Sequence, residues 1–426
     1  IYLRNTNFAN LFVWSYWWPL IIVFSIFFGR VWCMVCPVEL LVTFFAKIGY
    51  RKKLPEWVKS GWLITLFYAV VLFIGIQMFS IHRNPTMMSL YLLFILFFAI
   101  SISLIFEKNA FCRYVCPVGY LLGIYSKLSF LGWRTADANR CRSCDDKSCV
   151  HKKYIYQFGN KSCGVGLYPP KINSNEKCIL CAGCLKTCSE YHSKPRNESA
   201  NPGLKYIGFA NDLFSLKTFN LSELAFLFIV SGFVISEIWS EWNTTNAYLN
   251  YVSKIIDVSA ISGNKLLSSL IGSISIFILF PAIIWIIPYA LSRLSSQKIS
   301  IKSYLLVYGL AYIPIIAAAH LDKAILKMSS RIPYLEYALA DFSGMRSAES
   351  IIKGDVALQI NPQWMNLIVS ILLTVIMIAG IVVGALLIKN INNKLFPKSN
   401  YYWAYTIPIL YGGIFLIMIV FWRWII

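Results

Sequence analysis

Four cysteines fall within eleven positions, Cys178-x2-Cys181-x2-Cys184-x3-Cys188. Thiolates set that close repel one another unless a metal balances their charge. This spacing wraps three sulfurs around one [4Fe-4S] cube and sends the fourth to a neighbouring cube. Zinc is the rival, because C-x2-C pairs also build tetrahedral zinc sites. Upstream stand Cys141-x2-Cys144-x4-Cys149 and, by itself, Cys163. In two-cluster ferredoxins the fourth ligand is exchanged between halves. Cys141, Cys144, Cys149 and Cys188 are therefore expected to hold one cluster, and Cys163, Cys178, Cys181 and Cys184 the other. The residue after the fourth cysteine is Ser189, where such runs usually carry proline.

Four further cysteines complete the set of twelve: Cys33-x2-Cys36-Pro37 and Cys112-x3-Cys116-Pro117. They belong to an internal repeat, WCMVCPVELLVTFFAK (32–47) against FCRYVCPVGYLLGIYSK (111–127). From Cys36 and Cys116 onward both copies share Pro, Val, a Leu five residues on and a Lys eleven residues on. Facing each other, the copies would supply four ligands, the count a third cluster needs. Redox-active thiols and a structural role are the alternatives. Neither proline can continue a helix begun before it. Arg30 and Arg113 stand beside the two pairs and offset negative charge.

These residues need elements to position them, and the rest of the chain is mostly apolar. Of its 426 residues 58% are hydrophobic and only 14% charged, against about 25% charged in soluble domains. Apolar stretches long enough to cross a bilayer recur. We read eight spans, near 11–28, 61–81, 87–106, 219–240, 265–291, 303–320, 364–388 and 401–422. The fold expected is an all-α polytopic membrane protein of about eight transmembrane helices, with a small two-[4Fe-4S] ferredoxin-like domain inserted. Residues 1–133 carry the first three helices and both cysteine–proline motifs. Residues 134–205 form the iron–sulfur domain, and 206–426 the remaining helices with outward loops. Segments near 241–264 and 321–363 face outward, each with room for a short amphipathic helix.

A net charge of +20 on a soluble chain would suggest nucleic acid. Here basic loops that orient spans account for it, and no nucleic-acid partner is expected. Alternating the spans places 29 of the 39 Lys and Arg on one side. The short segments KIGYRKK, RLSSQKISIK and KNINNK agree, so the cysteine domain faces the cytoplasm of a bacterial inner membrane. Thiols on that side stay reduced and available to iron rather than pairing as disulfides. Basic residues crowd the domain, among them Arg140, Arg142, Lys147, Lys161 and Lys186, as topology charges, as a solvated face or to offset anionic clusters.

Four histidines exist: His82, His151, His192 and His320. His82 and His320 fall at the outward ends of the second and sixth spans. An interfacial imidazole accepts a quinol proton, ligates haem, or simply reaches water. The clusters lie at the inner side of a hydrocarbon core about 30 Å thick. Outward electron flow therefore requires a quinone in the lipid or haem from a partner subunit.

GRVWCMVCPVELL, FCRYVCPVGYLL and CILCAGCLKTC together resemble the membrane polyferredoxins typified by NapH and NosR, and more distantly CcoG. The resemblance covers roughly residues 10–205. It implies a membrane electron-transfer protein of the quinol dehydrogenase type, a subunit of a respiratory complex that passes electrons between the quinone pool and a partner redox protein. The partners it implies are membrane lipid and other redox subunits or electron carriers. The CcoG-like alternative is reduction of a metal ion such as copper for assembly of a respiratory enzyme. The first motif here has two residues between its cysteines where the family has three. NosR-like members also carry a flavin-binding domain before the first span, so an upstream domain is an open expectation for a sequence that begins at Ile1.

Overall fold

The computed structural model describes residues 2–157, 162–189, 192, 202–255, 265–295, 299–358, 361–397 and 401–425. Lys161 of the basic set lies outside these. Seven helices among the described residues are long and apolar enough to cross a membrane. They are α1 (Phe8–Phe28), α3 (Pro85–Ile105), α4 (Leu221–Trp239), α5 (Leu270–Leu294), α6 (Ile301–Ala340), α7 (Gln363–Leu395) and α8 (Tyr402–Ile425). In lipid every backbone amide must bond within its own segment, so apolar runs of this length fold as helices.

Two of the sequence expectations change. The second span, expected over 61–81, is a shorter apolar helix, α2 (Trp62–Gln77). Its second half widens into a π-type helix over Val71–Met78, and left-handed Ser80 (φ 48°) turns the chain toward Pro85. The helix carrying His320 does not stop there. It runs from Tyr312 to Ser330, and His320, Asp322 and Lys323 are all buried in it. Charge ended the span in the sequence reading, whereas the fold keeps Asp322 and Lys323 inside protein. The two stretches expected to face outward do hold helices, over Asn243–Ile255 and Met345–Lys353. Residues 256–264 of the first stretch lie outside the described set.

The contacts divide the chain into two compact units. The first comprises 1–22, 68–91 and 216–426. Its centre is the buried Tyr312–Ser330 helix of α6. Small residues let α7 approach it. A Cβ added at Gly380 would lie 2.6 Å from the Ala318 Cβ, and one at Gly384 would lie 3.4 Å from the Ala311 carbonyl. This is the small-xxx-small device of packed membrane helices. The same close approach joins α4 to α5, where a Cβ on Gly232 would meet the Phe277 carbonyl at 2.1 Å. A capping box starts α4: Asn220 Oδ1 accepts from the Glu223 amide, and Glu223 accepts from the Asn220 amide.

The second unit comprises 23–67 and 92–215 and holds all twelve cysteines. Each cysteine–proline motif starts a helix, Pro37–Ile48 and Pro117–Tyr125, with the cysteine as N-cap and the proline in the first turn. Strands β1 (Leu131–Thr135) and β2 (Pro202–Tyr206) pair antiparallel, Leu131 opposite Tyr206 and Thr135 opposite Pro202. A buried node ties them to the cysteine loops. The Asn175 side chain donates to Ser129 Oγ (2.9 Å) and the Leu131 carbonyl, and accepts from the Trp133 amide (3.3 Å). The Asn175 amide donates to Asp212 at 2.8 Å, and Arg134 pairs with the same carboxylate.

Candidate iron–sulfur site and buried histidine cavity

The twelve cysteines gather in three groups of four. Cys141, Cys144, Cys149 and Cys188 line one small cavity, with Lys147, Ser148 and Tyr168 around them. Lys147 is left-handed (φ 42°), which bends the loop between Cys144 and Cys149 inward. Ser148 Oγ donates to the Thr187 carbonyl and locks this loop to the one carrying Cys188.

Cys163, Cys178, Cys181 and Cys184 are mutual neighbours in a second group. Left-handed Leu180 (φ 55°) and Ala182 (φ 56°) lie between its successive cysteines. Alternating hand turns successive amides toward one centre, as in backbone anion nests. Sulfur accepts from three donors here: Trp133 Nε1–H to Cys184 (3.1 Å), the Leu167 amide to Cys163 (3.2 Å) and the Leu180 amide to Cys178.

The third group is Cys33, Cys36, Cys112 and Cys116, supplied by both copies of the repeat. Amides of Val38 and Glu39 serve Cys36, and the Gly119 amide donates to Cys116 at 3.3 Å. The buried Arg30 guanidinium donates to Cys33 Sγ (3.6 Å) and to the Glu176 carbonyl (3.0 Å). Gly119 makes room for it, since a Cβ there would sit 2.9 Å from the guanidinium.

The groups adjoin one another. The Cys163 amide donates to the Cys149 carbonyl at 3.0 Å. Cys33 packs with Cys163, Cys181, Val165 and Ile179 in one apolar cluster.

The thiols' chemistry suits a metal–sulfur centre. Burial, then repulsion from neighbouring cysteines, lifts Cys149 to about 12. Burial lifts Cys178 and Cys116 to about 12 as well, and Cys112 well above its ordinary value. By themselves these thiols stay protonated at neutral pH. A metal that displaces the protons makes four adjacent thiolates tenable. Among the described residues no three His, Cys, Asp or Glu side chains are grouped to hold a single metal ion. A cube spreads its sulfur ligands more widely than one tetrahedral ion does.

Several partners of these sulfurs carry no motif. Trp133, Leu167 and Gly119 each donate to sulfur through one contact, which spacing does not reveal. The repeat did signal one buried residue nearby: its Lys127 is paired with buried Glu176 at 3.4 Å. Arg113 donates to the Val165 carbonyl rather than to a cysteine.

In the first unit, His82 and His320 line one cavity together with Trp14, Trp18, Phe233, Glu237, Lys323 and Lys327. Trp14 meets His82 edge-on (6.3 Å between centroids), and Phe233 meets His320 likewise (6.0 Å). Lys323 bridges Glu237 (3.2 Å) and Glu241 (2.5 Å). Burial pulls His82 down to about 3, so its imidazole is neutral. Charges set in apolar stretches, Glu237 and Lys323 among them, signal this cavity more fully than its histidines alone. His151 and His192 do not join either site. His151 accepts from the Lys153 amide (3.2 Å), and His192 bonds the Lys186 carbonyl (2.9 Å).

A family described as a 4Fe-4S binding domain matches residues 10–55 and 88–134. Each stretch contains one cysteine–proline motif, in keeping with the repeat. The uncharacterized protein MJ0750 of Methanocaldococcus jannaschii is 30% identical over 191 residues, which are 40% of this chain and 73% of that protein. The chain belongs to the family of MJ0750. MJ0749 of the same organism is 29% identical over 182 residues, 40% of this chain and 65% of its own length. Protein NirI of Paracoccus denitrificans is 30% identical over 196 residues, 39% of this chain and 26% of NirI. No solved structure matches. Domain match and apolar helices together make this a multi-pass membrane iron–sulfur protein of the electron-transport class.

Proposed function

We propose that this chain carries electrons between the quinone pool and a partner redox protein through three [4Fe-4S] centres. Cys141, Cys144, Cys149 and Cys188 would hold the first. Cys163, Cys178, Cys181 and Cys184 would hold the second, and Cys33, Cys36, Cys112 and Cys116 the third. Bound there, each centre supplies reversible one-electron transfer. One observation carries the proposal: three groups of four cysteines adjoin in series, with Cys163 bonded to Cys149 and lying in the apolar cluster that Cys33 packs against. Electrons moving by short steps need such a row. The protein's part is to hold sulfur and tune it. N–H donors to sulfur and the Arg30 cation stabilise the more reduced, more negative state.

The quinone half of the proposal draws on the polyferredoxin resemblance and on the cavity shared by His82 and His320. Aromatic walls suit a flat ring, and a few polar groups suit its oxygens. The neutral His82 imidazole serves as a hydrogen-bond partner; haem bound between the two histidines is the competing use. By span parity the cysteine domain faces the cytoplasm.

Iron and acid-labile sulfide on the purified, full-length protein test the count. About twelve of each supports three cubes; zinc in their place would end the proposal. A short-chain quinol added to the oxidised protein should produce a reduced-cluster EPR signal. An unchanged spectrum removes the quinone half.

A further inference from the structure

The histidine cavity contains hydrogen-bond donors that have no acceptor. Arg83 Nε donates to Nε2 of His82 at 3.1 Å. A guanidinium only donates, so Nε2 presents its lone pair and the ring proton sits on Nδ1. That Nδ1–H is buried and meets no partner, and the same is true of Nε1–H of Trp14. Both residues line the cavity. Two orphaned N–H groups in one cleft call for oxygen from a ligand.

Positive charge exceeds negative around the same cleft. Glu237 on α4 and Glu241, just past its end, both pair with Lys323 of α6. Arg4, before α1, lies within electrostatic reach of Arg331, Arg83, Glu237 and Glu241. Lys327 lies within reach of Glu237, His82 and Lys323. Burial, then repulsion from Arg331 and Arg83, lowers the pKa of Arg4. Arg4, Arg83, Lys327 and Arg331 form no ion pair within 4.0 Å among the described residues, and Arg331 Nε is buried without a partner. His82 and His320 are the other titratable groups in the lining, while Asp322, although buried, does not line the cleft.

We propose that this cavity binds a hydroxylated aromatic ring as its oxyanion. The ring lies against Trp14, Trp18 and Phe233, its oxygens accept from Trp14 Nε1–H and His82 Nδ1–H, and the unpaired cations hold the negative charge. This rests on the quinone exchange proposed above and names the form of hydroquinone that the site selects. The ring O–H bond breaks, the electron pair stays on oxygen, and the proton leaves to water that reaches Glu237, whose side chain is 27% exposed. Deprotonation ahead of oxidation makes the ring the better electron donor.

The test is equilibrium binding to the full-length protein in detergent, with clusters as purified. The probes are 2-hydroxy-1,4-naphthoquinone, an anion at neutral pH, and its neutral 2-methoxy ether. The anion should bind about tenfold tighter, and Lys327→Gln should cut that preference to about threefold or less. Lys327 is half-buried and donates no side-chain hydrogen bond among the described residues, so the variant is expected to fold; its cluster absorbance checks this. Equal binding of both probes overturns the oxyanion site and leaves quinone exchange standing. Binding of neither overturns both. A preference that Lys327→Gln leaves intact places the anion elsewhere and also overturns the proposal.

Discussion

Cys163 is the cysteine with least signal of its own and most contact. It has no motif partner, yet its amide bonds to Cys149, its sulfur accepts from Leu167, and its neighbours include Cys33 and Cys181. Cys163→Ser is expected to cost about four irons of about twelve and to leave the Cys141 group loaded, as read by iron analysis and EPR. Arg30→Met removes the cation beside Cys33 and frees the Glu176 carbonyl. The centre nearest it should then be harder to reduce, its midpoint falling by on the order of 60 mV, a tenfold change for a one-electron couple. An unchanged midpoint would reduce Arg30 to a packing role. Glu176→Gln removes the carboxylate that pairs with Lys127, which is only 4% exposed. Losing one partner of a buried pair costs about 3–5 kcal/mol, so the variant should melt earlier in thermal unfolding followed by cluster bleaching.

At the scale of elements, packing depends on residues whose merit is absence of a side chain. Gly232→Val would drive a side chain into the Phe277 carbonyl. Overpacking typically costs about 1–3 kcal/mol, and here backbone is the obstacle, so folded yield in detergent should drop sharply. Gly384→Ala would press 3.2 Å from the Pro408 Cβ, a side-chain neighbour that needs to give only a few tenths of an ångström, and lie 3.4 Å from the Ala311 carbonyl, so it should be far milder. The spans themselves were legible because lipid demands long apolar helices, and hydropathy records that demand directly. The grouping of Cys141, Cys144, Cys149 and Cys188 was legible as an expectation from ligand exchange between halves, since local spacing fixes three corners and leaves one. The extension of α6 past His320 was not. A charge in sequence reads as an end of a span, and only the fold reveals that Lys323 has Glu237 and Glu241 to meet. Asn175 and Trp133 were silent for another reason: both act through long-range hydrogen bonds that spacing does not record.

For the molecule as a whole, span parity assigns 29 of the 39 basic residues in the sequence to the side of the cysteine domain. A reporter active only in the cytoplasm, fused within 389–397, should report the same side as one fused after Tyr206. One fused within Met345–Lys353 should report the other. Agreement of all three would break the topology and with it the assignment of sides.

The bond from Arg30 to the Glu176 carbonyl spans 146 residues. Synthesis runs in one direction, so Cys33 and Cys36 leave the ribosome well before Arg30 can find its anchor, and before Cys112 and Cys116 exist. Iron delivered early would meet an open half-site. If this group holds the proposed centre, its four thiols are complete only once the chain has passed Cys116, and the Arg30 anchor forms only after residue 176, with the first two thiols kept reduced in the meantime.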